Sequence, residues 1–471
     1  MKKTKIIATI WPATWNEEKI LALYQQGVNV IRCNFSHAKY EDMARVVEMV
    51  KGLNAAGKTK LGLMLDTKWP ELRTGDLPEP RQFHAGERFT IGVIGQTTGE
   101  ECALMCDYQC LLESVNVGDT LRIDSGLFDV VVQEKWTTSI VVEAKNDALI
   151  GSRRHVNLPG IAIKLPGLID KDKEDIRFGV EQGYDMIAMS FVRSALHVEE
   201  LRTFLEELKA SHIQIIAKIE NQEGIEHMDE IIQAADGVMV ARGDLGIEVP
   251  IQKLPVYQQQ ILQTARKYGK CSIVATHLLE SMIEHPFPTR AEVSDIFNAV
   301  QQQTDAVMLS AETATGHFPI EAVKIMKQVI AHAEENVHYS HVDFTPRNAT
   351  SRDLEKQQLI KNALYLSEDL DAKAVIVFTK SGKLARYAAA YRPQVRVYAV
   401  TNTPTTVTGL SCRFAVLPRF LPYTSHVEAL ASTLDMLKSL QQIVSGERVI
   451  AVTDILRDGE EIPVVEIVTV P

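Results

Sequence analysis

Two runs decide the fold: Ile213-Gln214-Ile215-Ile216-Ala217-Lys218-Ile219-Glu220-Asn221 and Gly237-Val238-Met239-Val240-Ala241-Arg242-Gly243-Asp244. Each opens as an apolar segment of strand length and closes on charged residues. A helix-like stretch, Gly224–Ala235, joins them. Two buried-type strands linked by one helix read as a βαβ unit, whose strands lie parallel with their C-terminal ends side by side. Lys218, Glu220 and Asp244 then share one rim. Two carboxylates there suit a hard divalent cation such as Mg²⁺, and a lysine between them suits a phosphoryl group.

The same pattern repeats along the first 336 residues. Strands are expected at Lys5–Ile10, Val28–Cys33, Leu61–Leu65, Met186–Met189, Gln214–Ile219, Gly237–Ala241, Cys271–Ala275 and Ala306–Leu309. Helical patterns follow at Glu17–Gln25, Tyr40–Ala55, Lys171–Gln182, Val198–Leu208, Gly224–Ala235, Leu254–Tyr268, Arg290–Gln301 and Pro319–Asn336. In Val198–Leu208 the spacing of Leu201, Phe204, Leu205 and Leu208 gives one apolar face. Eight alternating units predict an α/β chain built on a TIM (β/α)8 barrel. Residues 70–165 interrupt it with short alternating segments such as Thr120-Leu121-Arg122-Ile123-Asp124, which predict a small inserted β-barrel domain. It sits on the third βα loop, at the face where such barrels are catalytic, and can act as a lid. A C-terminal α/β domain follows, with strands at Ala374–Phe378 and Val395–Val400 and a helix at Lys383–Ala390. The expected division is 1–69 and 166–345 for the barrel, 70–165 for the lid and 346–471 for the C-terminal domain.

Length and composition agree with several soluble cores. The 471 residues are 45% hydrophobic and 24% charged, with a formal net charge of −11, which argues against a general nucleic-acid partner. No apolar run approaches membrane-spanning length, and Met1-Lys2-Lys3-Thr4 leads straight into a strand pattern rather than a signal-peptide core. The chain reads as cytoplasmic. Of six cysteines only Cys102, Cys106 and Cys110 cluster, at four-residue steps. On a helix they would line one face and could hold a metal, but no fourth ligand is apparent and small buried cysteines are common.

Six segments in order resemble the pyruvate kinase family, in its bacterial form. They are Ile31-Arg32-Cys33-Asn34-Phe35-Ser36-His37, Leu65-Asp66-Thr67-Lys68, Lys218-Ile219-Glu220-Asn221, Val240-Ala241-Arg242-Gly243-Asp244, Ala275-Thr276 and Pro288-Thr289-Arg290-Ala291-Glu292. The resemblance implies a phosphotransferase of glycolysis that takes phosphoenolpyruvate and ADP to pyruvate and ATP, with Mg²⁺ and K⁺, as a homotetramer with Arg290 near a subunit contact. It implies that Arg32 and Lys218 contact the transferred phosphoryl group and that Glu220 and Asp244 hold Mg²⁺. Gly243 and Thr276 would line the substrate, Thr276 near the enolate methylene where a proton arrives. Asn34, Ser36, Asp66 and Thr67 match the potassium ligands, and Glu71 the glutamate that accompanies potassium dependence. His37, Arg73 and Arg154 would meet the nucleotide, with Arg153 beside them. Thr379-Lys380-Ser381-Gly382-Lys383, between a strand and a helix, matches the effector loop, and its backbone amides can form a phosphate nest. The family's second effector element is missing; Asp454-Ile455-Leu456-Arg457-Asp458-Gly459-Glu460-Glu461 stands there, and its acids oppose a phosphate.

Other departures are glycines of the family replaced by Trp11 and Trp69, and by His155, Gln303 and Ala311; His277 replaces a glutamine. Trp136 stands in a turn-like Lys135-Trp136-Thr137. These favour a catalytically impaired paralogue with a structural or regulatory role, which the intact Arg32, Lys218, Glu220, Asp244 and Thr276 oppose. A barrel lyase acting on pyruvate enolate is a further competitor, against which the lid counts. The tryptophans themselves have two readings: ordinary drift, or a gene whose UGA codons specify glycine. The intact mass of the native protein separates them, since drift requires full tryptophan mass at all of these positions.

Overall fold

The computed structural model describes residues 2–36, 39–68, 71–96, 101–346, 349–423, 426–457 and 460–471. Eight parallel strands close into a barrel: Lys5–Thr9, Val30–Asn34, Gly62–Asp66, Met186–Met189, Gln214–Ile219, Gly237–Ala241, Cys271–Ala275 and Ala306–Leu309. Each pairs with the next, and the last returns to the first through Lys5 opposite Ala306. The expected start at Val28 moves to Val30 because the Asn29 side chain turns the chain, accepting from Ile6 N at 3.1 Å. The expected helix Gly224–Ala235 is two helices, Gln222–Glu226 and Met228–Ala234, broken at His227. Two short helices escaped the periodicity reading, Arg242–Glu248 and Ala311–Ala314, each too brief to show a face.

Strand alternation sorts the barrel residues into two layers. Ile7, Val30, Met64, Ala188, Ile216, Met239, Ile273 and Met308 fill the interior, while Ile6, Ala8, Ile31, Leu65, Ile187, Ala217, Val240 and Val307 face the helices. Each fully buried aliphatic side chain contributes about 1.5–3 kcal/mol. The interior therefore packs solid, and only the rim is left for polar groups.

The insertion forms a seven-stranded sheet in the order Leu72–Arg73, His155–Asn157, Thr120–Ile123, Phe128–Lys135, Ser139–Ala144, Arg88–Val93 and Leu104–Cys106. A bridge between Thr74 and Cys106 joins first strand to last, so the sheet nearly closes on itself around a separate core containing Phe83, Phe89 and Phe128. Cys106 lies on a strand and Cys110 just before a four-residue helix, so the three cysteines do not share a helix face. Among the described residues no group of three or more His, Cys, Asp or Glu could hold a metal.

A five-stranded sheet forms the C-terminal part, in the order Val416–Phe420, Arg396–Thr401, Ala374–Phe378, Arg448–Arg457 and Glu460–Thr469, the last antiparallel. It seals the bottom of the barrel. Cys412 joins the barrel's interior cluster, with its Sγ 3.7 Å from Cys271 Sγ. Arg392, 1% exposed, grips Asp305 at 2.6 and 3.1 Å, and Asp305 also accepts from Phe414 N at 3.1 Å. No helix among the described residues is long and apolar enough to cross a membrane.

Trp11 and Trp15 pack in a tilted pair, ring centroids 5.9 Å apart, against the barrel core, and Trp136 is 40% exposed. None of these three has a positive φ, so the backbone does not demand glycine there. Trp69 lies outside the described residues. Gln303 does hold φ +65°, a conformation glycine would adopt without strain.

Breaking the Arg392–Asp305 pair strands a buried carboxylate at the seam between barrel and C-terminal sheet. Arg392→Ala is expected to lower stability by about 3–5 kcal/mol, read as a lower thermal midpoint by calorimetry.

Candidate active site at the barrel rim

Two residues beyond five of the interior apolar side chains, the alternation places a buried polar one at the C-terminal rim. Ile7 leads to Thr9, Val30 to Arg32, Met64 to Asp66, Ala188 to Ser190 and Ile216 to Lys218 and then Glu220. All six polar residues are buried.

Asp66, 1% exposed, is the centre. Its Oδ2 accepts from Arg32 Nε at 2.7 Å and its Oδ1 from Lys218 Nζ at 3.0 Å and Ser190 Oγ at 3.3 Å. Burial alone pushes the Asp66 carboxyl up, but the Arg32 and Lys218 charges outweigh it and hold it below the usual range. Lys218 has the mirror-image balance: burial works against its charge, and Asp66 and Glu220 hold its pKa above the ordinary value. Arg32 is steadied by Thr9 Oγ1 at 3.0 Å, and Lys218 by Ser190 Oγ at 2.9 Å.

Glu220 is fully buried, 3.0 Å from Lys218 Nζ, and its Oε2 accepts from Phe191 N at 2.6 Å. Phe191 holds φ +48° to make that bond. Oε1 accepts no well-formed hydrogen bond, and burial, joined by the neighbouring Asp244 charge, pushes the carboxyl up despite Lys218. A buried carboxylate oxygen that meets Lys218 Nζ at 3.0 Å without a well-formed hydrogen bond, next to a second carboxylate, suits a hard cation.

Asp244 and Gly243 begin the short helix Arg242–Glu248. Gly243 N donates to Thr276 Oγ1 at 2.7 Å, and Thr276 holds φ +68° with His277 following at +54°. Arg242 fixes that loop by donating to the carbonyls of Ala275 and Thr276 while paired with Asp295 at 2.7 Å. Backbone held in the left-handed region by surrounding bonds is typical of functional sites.

Asn34 and Asp66 are register partners on neighbouring strands, with Ser36 and Thr67 just beyond them. Asn34 Oδ1 accepts from Ser36 N at 3.2 Å, and Thr67 Oγ1 from Ser190 N at 3.2 Å. All four side chains offer oxygen. Glu71 is paired with Arg73, whose NH1 also reaches Arg153 O at 2.8 Å. On the lid, Arg153 pairs with Asp76 at 2.7 Å and Arg154 with Asp124 at 3.4 Å. These arginines thus bind lid acids rather than the rim. His37 lies outside the described residues.

The loop Thr379–Lys383 is remote from the rim. Gly382 takes φ +77°, Lys383 pairs with Asp353 at 2.7 Å, and Lys380, Ser381 and Arg386 face a cavity of about 490 Å³ shared with barrel residues Asp185 and Gln214. Of residues 454–461, Asp458 and Gly459 lie outside the described residues and the others are described only as strand backbone, so the opposing acids have no described position.

Sequence reasoning missed Thr9, Ser190, Phe191 and Arg242. The two-residue step past an interior apolar position would have found Thr9 and Ser190. Arg242 lies in the quoted run ending at Asp244, but its grip on the Ala275 and Thr276 carbonyls is long-range, and Phe191 acts through its own backbone N–H, which side-chain type does not announce.

Asp66→Asn leaves two buried cations facing each other. It is expected to cost about 3–5 kcal/mol at neutral pH by thermal unfolding. Because the native Asp66 carboxyl titrates below its unfolded value, its stabilisation is present above about pH 4 and fades as the pH falls below that, so the gap between wild type and variant should narrow in acid.

Comparison with known proteins agrees with this arrangement. The family description "Pyruvate kinase, barrel domain" matches residues 1–323 and "Pyruvate kinase, alpha/beta domain" residues 357–461. The chain is 37% identical to a pyruvate kinase of Clostridium acetobutylicum over 92% of both chains. It is 38% identical to plastidial pyruvate kinase 2 of Arabidopsis thaliana over 95% of this chain and 77% of that one. The crystal structure of a pyruvate kinase from Cryptosporidium parvum superposes with a TM-score of 0.92 at 35% identity, covering 100% of this chain and 96% of the other.

Proposed function

The chain belongs to the pyruvate kinase family of phosphotransferases, and we propose that its barrel rim moves the phosphoryl group of phosphoenolpyruvate to ADP, giving pyruvate and ATP. The observation that carries this reading is the convergence of Arg32 and Lys218 on the Asp66 carboxylate, with Glu220 beside them. Phosphoryl transfer asks a protein for alignment and cationic screening rather than for covalent chemistry. Arg32 and Lys218, already fixed by a buried anion, pay little reorganisation when phosphoryl oxygens arrive.

Glu220 and Asp244 would hold Mg²⁺. That cation, when bound, screens the phosphoryl charge and orients the carboxylate of the substrate. Asn34, Ser36, Asp66 and Thr67 form an all-oxygen set that suits K⁺, and Glu71 is assigned to potassium dependence although Arg73 pairs with it here. Gly243 and Thr276 line the substrate side. The Thr276 hydroxyl, which donates to Ala275 O at 2.6 Å, is assigned to the side from which a proton would reach the enolate methylene. His37, Arg73 and Arg154 are assigned to the nucleotide. The exposed pair of Arg154 is worth about 1 kcal/mol or less, so a phosphate can take it over cheaply, while Arg73 is half-buried against Glu71.

Lys380, Ser381 and Arg386 around the 490 Å³ cavity support Thr379–Lys383 as the candidate effector loop. Self-association, assigned as a homotetramer, has a candidate surface in the edge strand Glu460–Thr469, which among the described residues pairs on one side and leaves Ile467 57% exposed. The reading keeps the protein in the cytoplasm. A catalytically impaired paralogue finds no support in the rim, where the full charged set is assembled, and an aldol enzyme would have no use for the lid's arginines.

The test is pyruvate formation from phosphoenolpyruvate and ADP with Mg²⁺, with and without K⁺. Turnover that requires K⁺ is expected. Lys218→Met should lower kcat by at least about 10²–10³-fold, the usual cost of one charge-stabilising donor. ADP binding without turnover in the wild type would overturn the reading and leave the impaired paralogue.

A further inference from the structure

The helix Arg242–Glu248 is anchored at its two ends by different parts of the chain. At the start, Arg242 ties it to the barrel through Asp295 and the carbonyls of Ala275 and Thr276. At the far end the lid takes over. Asn157 Nδ2 donates to Glu248 Oε1 at 2.6 Å, and Arg122 donates to the Ile247 carbonyl. The Ile247 side chain also packs under the lid turn at Gly126, where a Cβ would meet its Cγ2 at 3.7 Å. Asn157 and Glu248 are 3% and 6% exposed, so their bond is made away from water, where an unmade partner is costly.

A seven-residue helix is too short to be stable by its own hydrogen bonds, so its direction follows its anchors. Asp244 and Glu248 are four residues apart and share one face of it. Moving the Glu248 end therefore moves the Asp244 carboxylate.

We propose that Asn157 and Arg122 of the lid are positioning residues for Asp244, acting through Glu248 and the Ile247 carbonyl, so that lid docking and divalent-cation binding reinforce each other. The proposal rests on the assignment of Glu220 and Asp244 as the cation ligands. Linkage makes the effect reciprocal: a bound cation favours the docked lid, and an undocked lid weakens the cation. Asn157 and Arg122 touch neither cation nor substrate in this scheme. Their influence passes through the helix alone.

The test measures Mn²⁺ binding to the full chain without substrate, by loss of the free-Mn²⁺ electron paramagnetic resonance signal. Asn157→Ala should weaken binding about tenfold, as outer-shell changes do. Glu248→Gln keeps an acceptor for Asn157 Nδ2 and should retain near wild-type affinity, which separates loss of the clasp from loss of the Glu248 charge. Arg122→Met, at a half-exposed residue, is the second variant if Asn157→Ala does not fold, and should weaken Mn²⁺ in the same direction. Mn²⁺ should also slow proteolytic cleavage within the lid of the wild type more than in either clasp variant. Wild-type Mn²⁺ affinity in Asn157→Ala and Arg122→Met, with Asp244→Asn impaired, would overturn the proposal alone. Unchanged affinity in Asp244→Asn would overturn the cation assignment itself, and the proposal with it.

Discussion

A buried carboxylate shared by two buried cations governs this molecule. Asp66 sits at the end of one barrel strand and binds Arg32 from the neighbouring strand on one side and Lys218 from the second strand along on the other. Neither cation would be tolerated at that depth alone, because desolvation penalises an unpaired charge by several kcal/mol. Asp66 in turn keeps its charge only because both are present. The three are therefore mutually conditional. A group of this kind adds little net stability, yet it fixes two positive side chains at a spacing that solvent-exposed lysines and arginines could not keep.

The barrel was legible because its physics repeats. Short apolar runs alternating with helical periodicity marked all eight strands, and the period-2 rule that buries Val30, Met64 and Ile216 also puts Arg32, Asp66 and Lys218 at the rim. The missed parts are those where the chain obeys no period. Arg242–Glu248 is seven residues long, and its start is set by the end of the preceding strand rather than by an amphipathic face. Phe191 and Thr276 matter through backbone conformation, φ +48° and +68°, which their side-chain chemistry does not announce. Ser190 was within reach, since it occupies on its strand the place that Asp66 and Lys218 occupy on theirs.

Substituted glycines show the same distinction. Glycine is required by φ, not by family habit. Trp11 and Trp136 occupy ordinary backbone and cost only volume, which Trp11 recovers by packing on Trp15 and the barrel core. Gln303 keeps a left-handed backbone without being glycine, and its carbonyl is held by Arg392 Nε at 3.1 Å. The strain at Gln303 is thus offset by a bond across the seam with the C-terminal sheet.

The segment Ser190–Arg193 connects these pieces. Ser190 Oγ donates to the Thr67 carbonyl at 2.8 Å, where the chain leaves the barrel for the lid, and Arg193 donates to the carbonyls of Ile163 and Leu165, where it returns. Between them Phe191 N holds Glu220 and Val192 N meets the Lys218 carbonyl at 3.3 Å. Four consecutive residues therefore touch both roots of the lid, the central cation and the buried carboxylate. Arg193 is 4% exposed, so this is a packed joint rather than a loose tether. A lid rooted in such a joint cannot swing without loading the strand ends that carry the charges. Its other contact is on the helix bearing Asp244, which follows the strand next to that of Lys218. Lid and rim are consequently one mechanical unit with two supports, the Ser190–Arg193 joint and the helix bearing Asp244.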